Sequence, residues 1–152
     1  MENKHFYFMR EALKEAKKSF FKKEVPVGAV AVLNDKIIAR SHNSVEIEKV
    51  FFAHAEFLIL KKLNKKFQSY RLNDIIIYTT LEPCVMCTGA LIQTRIKKVY
   101  YGAFSPRSGF LSKTSLFKKD IKFFQKISFE SGLLKEESEF ILKKFFFLLR
   151  NK

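Results

Sequence analysis

The sequence contains only two cysteines, Cys84 and Cys87, and no apolar run that approaches the length of a membrane span. Two cysteines at this spacing form no disulfide framework and fit the reducing cytoplasm. The longest apolar stretches, Val25 to Leu33 and Phe145 to Leu149, are well short of the ~18 residues that a transmembrane helix needs. Met1 to His5 lead straight into an amphipathic pattern, so we expect no signal peptide. These absences predict a cytoplasmic globular protein.

Acidic side chains are scarce, because 15 Asp and Glu stand against 29 Lys and Arg, which leaves a formal net charge of +14. Such an excess predicts attraction to polyanions, and nucleic acid is the commonest polyanion in a cell. The chain is also rich in Lys, Phe and Ile together, so a compositional bias of the source genome is the competing explanation. The charge alone therefore favours a nucleic-acid partner without establishing one.

Hydrophobic periodicity predicts one α/β domain over residues 1–152, with no internal repeat, linker or low-complexity segment. We predict helices over residues 5–22, 53–63, 84–94 and 133–150, strands over 29–33, 36–41, 75–78, 98–102 and 123–129, and a loop over 105–115. Asn34 and Asp35 predict a tight turn between the first two strands. The strands predicted over 75–78 and 98–102 are joined by the helix predicted over 84–94, and this connection predicts that the two strands run parallel. A mostly central sheet with helices on both faces follows.

The two cysteines lie three residues apart at the start of a predicted helix. At this spacing in a first turn both sulfurs point the same way, and the partial positive charge of the helix N-terminus favours the thiolate that binds metal. His54 and Glu56 are two residues apart and can converge only where a helix begins, so we place them at the mouth of the helix predicted over 53–63. Two helix N-termini then carry two thiolates, an imidazole and a carboxylate to one spot.

The number of ligands predicts the kind of metal site. Cys84, Cys87 and His54 make three ligands, and the sequence has no second Cys-x-x-Cys or His-x-x-x-His pair to add a fourth. A structural zinc site is closed by four protein ligands, whereas a catalytic one keeps a position for water. Zinc lowers the pKa of that water from about 15.7 to about 7, and Glu56 remains free to carry protons beside it. We therefore expect an activated-water enzyme with one zinc per chain.

Each part of this motif also has a plainer explanation. A Cys-x-x-Cys pair in an intracellular chain could be a redox pair or two buried thiols, and Glu in the first turn of a helix is ordinary helix-start chemistry. The combination of His-x-Glu with a later Pro-Cys-x-x-Cys is far more specific, because this order is the known signature of zinc nucleobase deaminases.

Longer stretches carry a closer resemblance, namely Glu24-Val-Pro-Val-Gly-Ala-Val30, Asn43, Ala53-His-Ala-Glu56, Tyr70-Arg-Leu72 and Thr80-Leu-Glu-Pro-Cys-Val-Met-Cys87. With them the chain closely resembles the bacterial tRNA-specific adenosine deaminases of the cytidine-deaminase-like superfamily over nearly its whole length. The resemblance implies a three-layer α/β/α sandwich around a five-stranded mixed sheet, and a homodimer. It implies hydrolytic conversion of adenosine to inosine at the wobble position of a tRNA anticodon.

The resemblance also implies residue roles. His54, Cys84 and Cys87 would hold the zinc, whose activated water attacks C6 of the flipped adenine, and Glu56 would be the proton shuttle. The substrate would be bound by a hydrogen bond from the base to Asn43, by the backbone N–H of Ala55 and by Val27 in the pocket wall. From its residues alone, the sequence favours Asn43 as an ordinary turn residue.

The chain departs from the family where RNA is expected to bind. Val50-Phe51-Phe52 stand before His54 where relatives commonly have Asp-Pro-Thr. Ser105 stands where relatives have an acidic residue that touches the nucleotide backbone, and Phe147 replaces a basic residue after an aromatic pair that could equally serve core or dimer packing. The candidate RNA contacts are Ser105, Arg107, Phe145, Phe146 and Arg150.

Three other functions compete with tRNA deamination. A deaminase of a free base or nucleoside such as guanine is the nearest, and it has no need of a large positive surface. A non-catalytic zinc-stabilised RNA-binding module would not need Glu56 beside the metal, and a thiol redox protein would have no use for His54. The residues therefore favour an enzyme.

Overall fold

The computed structural model describes residues 3–109 and 127–151. Their elements are α1 (Lys4–Phe21), β1 (Gly28–Leu33), β2 (Lys36–His42), α2 (Val45–Glu48), α3 (Ala55–Phe67), β3 (Ile76–Leu81), α4 (Val85–Gln93), β4 (Lys98–Ala103), β5 (Ser128–Glu130) and α5 (Lys135–Arg150). Within these ranges no helix has both the length and the apolar character that crossing a bilayer requires.

Most predicted elements are present with shifted ends. The predicted strand over 123–129 lies mostly outside the described residues, and within its described part β5 begins at Ser128, one residue after Ile127. Residues 110–115 of the predicted loop also lie outside them. The short helix α2 was not predicted, and α3 begins at Ala55 rather than at residue 53.

The tight turn between β1 and β2 is confirmed. Leu33 pairs with Lys36 across Asn34 and Asp35, whose φ angles are 51° and 61°. A two-residue turn with both φ angles positive matches the right-handed twist of antiparallel strands. Asn and Asp tolerate this left-handed conformation better than other residues with a side chain, which explains why the hairpin closes here.

The sheet has five strands in the order β2-β1-β3-β4-β5. β1 runs antiparallel to both β2 and β3, whereas β3, β4 and β5 are mutually parallel neighbours. The predicted parallel pair joined by the cysteine-bearing helix is therefore β3 and β4. The result is the mixed five-stranded sheet that the resemblance implied.

Helices cover both faces of this sheet, because successive residues of a strand point to opposite sides. One face packs against α3 and α4 through Ala29, Ala31, Ile77, Val99, Ile59, Leu60, Leu91 and Ile92. The other packs against α1 through Val30, Val32, Tyr78, Tyr100, Phe8, Met9 and Ala12, and α5 lies beside α1 and β4 on that side. The three-layer α/β/α arrangement is confirmed.

At Gly28 the backbone of α1 lies very close to the sheet. A Cβ atom at this position would lie 2.1 Å from the carbonyl oxygen of Ala12 and 2.4 Å from the backbone nitrogen of Ala16. Neither backbone atom can move aside cheaply, so only glycine fits. This contact holds the middle of α1 against the start of β1, immediately after the segment over residues 22–27 that leads to the site described next.

Candidate active site and metal centre

Two helices of the same layer begin at one spot. His54 is the N-cap residue of α3 and Cys84 the N-cap residue of α4, with extended backbone at both. The later start of α3 leaves His54 just outside the helix and puts Glu56 in its first turn. Side chains that project from two adjacent N-termini can converge in this way, as the spacing predicted.

The three expected ligands have a separation that suits zinc. The Nδ1 atom of His54 lies 3.6 Å from Sγ of Cys84 and 3.5 Å from Sγ of Cys87, and the three ligand atoms all lie within 4.8 Å of one another. Tetrahedral zinc with Zn–S of about 2.3 Å and Zn–N of about 2.0–2.1 Å places nitrogen and sulfur roughly 3.6 Å apart. The observed distances therefore fit a shared zinc ion.

The thiol pair holds a negative charge even before a metal binds. A hydrogen bond from Cys87 and a further one with His54 lower the pKa of Cys84 to about 4. The pKa of Cys87 is raised because its thiol donates to Cys84 and because it is buried, and the hydrogen bond to Cys84 raises the pKa of His54. One thiolate beside an imidazole attracts a dication, which would then deprotonate the second thiol.

Glu56 lies directly beside these ligands and is only 4% exposed. Burial disfavours its charged form and raises the pKa of the carboxyl group, against the opposing effect of His54. Oε1 of Glu56 accepts a hydrogen bond from Oγ1 of Thr79 at 2.9 Å, which fixes the carboxyl group in place. A proton carrier for chemistry at the metal would need this position.

Sequence reasoning missed Thr79, which lies just beyond the strand predicted over residues 75–78 and inside the observed β3. Thr79 and Thr80 are fully buried in β3, where Oγ1 of Thr80 accepts the backbone N–H of Gly28 at 3.2 Å. A hydroxyl inside a strand covered on both faces needs a hydrogen-bond partner. Two threonines at the end of an apolar run were therefore the feature of the sequence that could have identified Thr79 as a hydrogen-bonding residue.

A pocket of about 250 Å³ opens beside the metal ligands. All three residues expected to bind the substrate, Val27, Asn43 and Ala55, line it together with Glu56, His54 and Cys84. Small-molecule sites usually start at roughly 300 Å³, so this one suits a ligand of modest size. The structure thus brings the predicted metal ligands, the carboxylate and the substrate residues to one place.

Asn43, which lines this pocket, has a buried acceptor without a hydrogen-bond partner. The side chain is 7% exposed, and its Nδ2 donates to the carbonyl oxygen of Val25 at 3.1 Å. Its Oδ1 is buried without a hydrogen-bond partner. An unpaired buried acceptor costs about 1–3 kcal/mol, so the arrangement is explained if a ligand supplies the missing donor. This favours the predicted contact with a base over an ordinary turn residue.

None of the five candidate RNA contacts lines the pocket. Ser105 is 6% exposed and its hydroxyl bonds that of Ser108 at 3.0 Å, while Phe145 is 9% exposed and packs edge-on against Phe20. Both side chains therefore have partners within the chain. Arg107 and Arg150 are exposed and Phe146 is half-buried, so these three side chains are accessible at the surface.

Two further buried carboxylates line the pocket and were not singled out from the sequence. Glu24 is 1% exposed and Glu82 is 2% exposed. Oε1 of Glu82 accepts the backbone N–H of Ser105 at 3.0 Å, and a Cβ atom at Gly109 would lie 2.1 Å from the same oxygen. Glu82 thus holds the loop after β4 against the site. Both residues stood within the stretches that carry the family resemblance.

Comparison with known proteins agrees with this geometry. Residues 2–103 match the family model described as the cytidine and deoxycytidylate deaminase zinc-binding region, which includes all three proposed ligands. The tRNA-specific adenosine deaminase of Bacillus subtilis (strain 168) is 43% identical over 145 residues, covering 95% of this chain and 90% of that protein.

Two solved structures extend the comparison. One, from a study of A-to-I editing by tRNA:A34 deaminases at the wobble position of transfer RNA, has a TM-score of 0.83 and 37% identity, covering 90% of this chain and 99% of its own. The guanine deaminase from Bacillus subtilis has a TM-score of 0.62 and 36% identity, covering 68% of this chain and 66% of its own. The likeness to the editing enzyme is the more extensive of the two.

Proposed function

This chain belongs to the cytidine and deoxycytidylate deaminase family, and within it to the tRNA-specific adenosine deaminases, and from that premise we propose that it converts adenosine to inosine at the wobble position of a tRNA anticodon. The observation that carries the proposal is the cluster of His54, Cys84 and Cys87 with Glu56 beside it in one pocket. We take residues 1–152 as one zinc-dependent deaminase domain.

The proposed chemistry divides between the metal and Glu56. Zinc held by His54, Cys84 and Cys87 would supply an activated water for attack on C6 of the adenine. Glu56 accepts one proton from that water and delivers it to N1 of the ring. It then carries the second proton to the amino group, which leaves as ammonia. Thr79 holds the carboxyl group in position for both transfers.

Three residues would hold the base. The unpaired Oδ1 of Asn43 accepts a hydrogen bond from it, and Val27 packs against it in the pocket wall. Ala55 is the first residue of α3, where backbone N–H groups have no acceptor within the helix. Its amide is therefore a donor for the substrate. The small pocket requires the base to be flipped out of the anticodon loop, as in other nucleobase deaminases.

The positive charge supports a polyanionic substrate. Lys22, Lys61, Lys62 and Lys65 line a second concavity of about 530 Å³. Residues 41–48 contribute side chains to this basic concavity and to the substrate pocket alike. An RNA strand that delivers its base to the pocket would therefore pass close to several lysines, and contacts from cations to phosphates supply much of the affinity for nucleic acid.

We further propose a homodimer in the cytoplasm, with Ser105, Arg107, Phe145, Phe146 and Arg150 as candidate RNA contacts. Phe51, which precedes α3, and Val85, the first residue of α4, are 77% and 62% exposed. Exposed apolar side chains of this kind often mark a surface that a partner covers, which supports a second copy at this layer.

The proposed function is tested by comparing substrates. The purified zinc-loaded protein is incubated with an anticodon stem-loop that carries adenosine at the wobble position, and separately with free adenosine, guanine and cytosine. We expect inosine in the stem-loop, measured by mass spectrometry, and at most slow turnover of the others. Turnover of guanine alone would instead assign the chain to free-base deamination, for which the likeness to guanine deaminase is the supporting observation.

The hydroxyl of Thr79 should matter for turnover. Thr79→Val keeps the shape of the side chain but removes the hydrogen bond to Glu56, so we expect kcat on the stem-loop to fall by about tenfold or more. Thr79→Ser should restore most of the activity. Thr80→Val is the matched control, because that buried hydroxyl bonds Gly28 instead of Glu56. Equal losses of kcat in both valine variants would contradict the assignment.

A further inference from the structure

Glu24 is a buried carboxylate that the proposed chemistry does not use. It is 1% exposed and lines the substrate pocket. The chain reaches it through a turn at Lys23, whose φ is 64°, and its backbone N–H donates to the carbonyl oxygen of Ser19 at 2.9 Å. A buried carboxylate persists only where its partners replace the lost hydration, so those partners indicate what it does.

The partners of Glu24 are two backbone amides of α2. Oε1 accepts the N–H of Glu46 at 3.0 Å, and Oε2 accepts the N–H of Ile47 at 2.9 Å. Amides in a first turn have no acceptor within the helix. Ser44, the N-cap residue, makes no side-chain bond to them, because its hydroxyl bonds the carboxylate of Glu48. Glu24 therefore caps α2 from a distant part of the chain.

Helix α2 has little else to hold it in place. It is four residues long and none of them is buried, and a helix this short is not stable by itself. Yet Val45, Glu46 and the preceding Asn43 all line the substrate pocket. The residues before α2 are anchored separately, since the hydroxyl of Ser19 donates to the carbonyl oxygen of Asn43 at 2.7 Å and the backbone N–H groups of Asn43 and Ser44 donate to Val27 and Ala53 at 3.0 and 2.9 Å. The first turn of α2 itself is tied to the preceding segment through Glu24.

We propose that Glu24 is a positioning residue that fixes α2 as one wall of the pocket and so sets how tightly the substrate base is held. The identity of that base rests on the proposed function. Both carboxylate oxygens of Glu24 accept hydrogen bonds from backbone amides of α2, not from the zinc ligands or Glu56. Loss of the cap weakens substrate binding while the chemical step persists.

The kinetic test uses Glu24→Ala, Glu24→Gln and the control Glu11→Gln. Glu11 is also a buried glutamate, at 7% exposure, but it bonds Lys14 and Arg40 and does not line the pocket. For the anticodon stem-loop, Glu24→Ala should raise KM by about tenfold or more, since two charge-assisted bonds are lost. We expect kcat of Glu24→Ala to stay within about threefold of the value for the unmodified protein.

Glu24→Gln should have a smaller effect on KM in the same direction, because its amide keeps one acceptor oxygen but presents a donor to the second N–H. Glu11→Gln should leave KM unchanged. Zinc content should remain one per chain in all variants.

Hydrogen exchange tests the cap without any substrate. The amides of Glu46 and Ile47 should exchange about tenfold faster or more in Glu24→Ala, and at the unchanged rate in Glu11→Gln. An unchanged KM in the zinc-loaded variant, or unchanged exchange at these two amides, would overturn the proposal. So would a fall in kcat at constant KM, which would place Glu24 in the chemistry.

Failure of this proposal is distinguishable from failure of the proposed function. If the unmodified protein does not deaminate the stem-loop, the proposed function is wrong, and the exchange rates still decide whether Glu24 caps α2. If Glu24→Ala does not fold, Glu24→Gln is judged by the same two measurements.

Discussion

Replacing Glu56 by Gln should abolish deamination while the fold and the zinc remain. The amide cannot accept a proton from the water or deliver one to the base, so kcat on the stem-loop should fall by about 10³-fold or more. Its Oε1 can still accept the hydroxyl of Thr79, which keeps the buried side chain in place. Single-turnover assays measure the loss, and metal analysis and thermal unfolding check that the protein is otherwise intact.

The control for this variant is Glu46→Gln. Glu46 lines the same pocket, but its side chain is exposed and has no part in the proposed proton transfers. We expect kcat to change by less than about threefold. If Glu56→Gln retained turnover, or lost activity only because it lost zinc, Glu56 would not be the proton carrier.

Removal of the metal should stop turnover and destabilise the protein. A ligand present at about 1,000 times its Kd stabilises the folded state by about 4 kcal/mol. For a chain of this size that corresponds to a fall in Tm of roughly 10 °C when the metal is chelated. Added zinc should restore both activity and Tm, and metal analysis of the untreated protein should give one zinc per chain.

Two histidine substitutions test whether loss of zinc is specific to the proposed ligand or follows from changing any histidine. His54→Gln removes one of the three ligands and should yield protein with little zinc and no activity. His42→Gln changes a histidine that bonds Glu15 and lies outside the cluster, so it should keep its zinc. Full zinc occupancy in His54→Gln would mean that the ligand set is different.

The metal centre could be predicted from the sequence because its geometry is local. His54, Glu56, Cys84 and Cys87 converge because each lies within one turn of a helix start, and helical spacing alone fixes which side chains share a face there. The turn at Asn34 and the parallel strands were predictable for the same reason, since residue type and short spacing determine them.

The parts that could not be predicted depend on contacts between distant segments. Helix α2 is too short to show a hydrophobic period, and the carboxylate that caps it lies more than twenty positions earlier in the chain. The start of α3 was placed too early because His54 gives no side-chain cap of the kind that marks a helix start in a sequence. Phe145 was ambiguous because a period of 3.6 identifies an apolar face without saying what covers it.

The hairpin turn at Asn34 and Asp35 has a practical consequence. It lies at the far end of β1 from Val27, six or seven residues along an extended strand and so roughly 20 Å from the pocket. A fluorophore or affinity tag carried by a peptide inserted at this corner would leave the pocket mouth clear for binding measurements. Thiol-directed dyes are unsuitable, since the chain's only cysteines are Cys84 and Cys87 and labelling either would strip the metal.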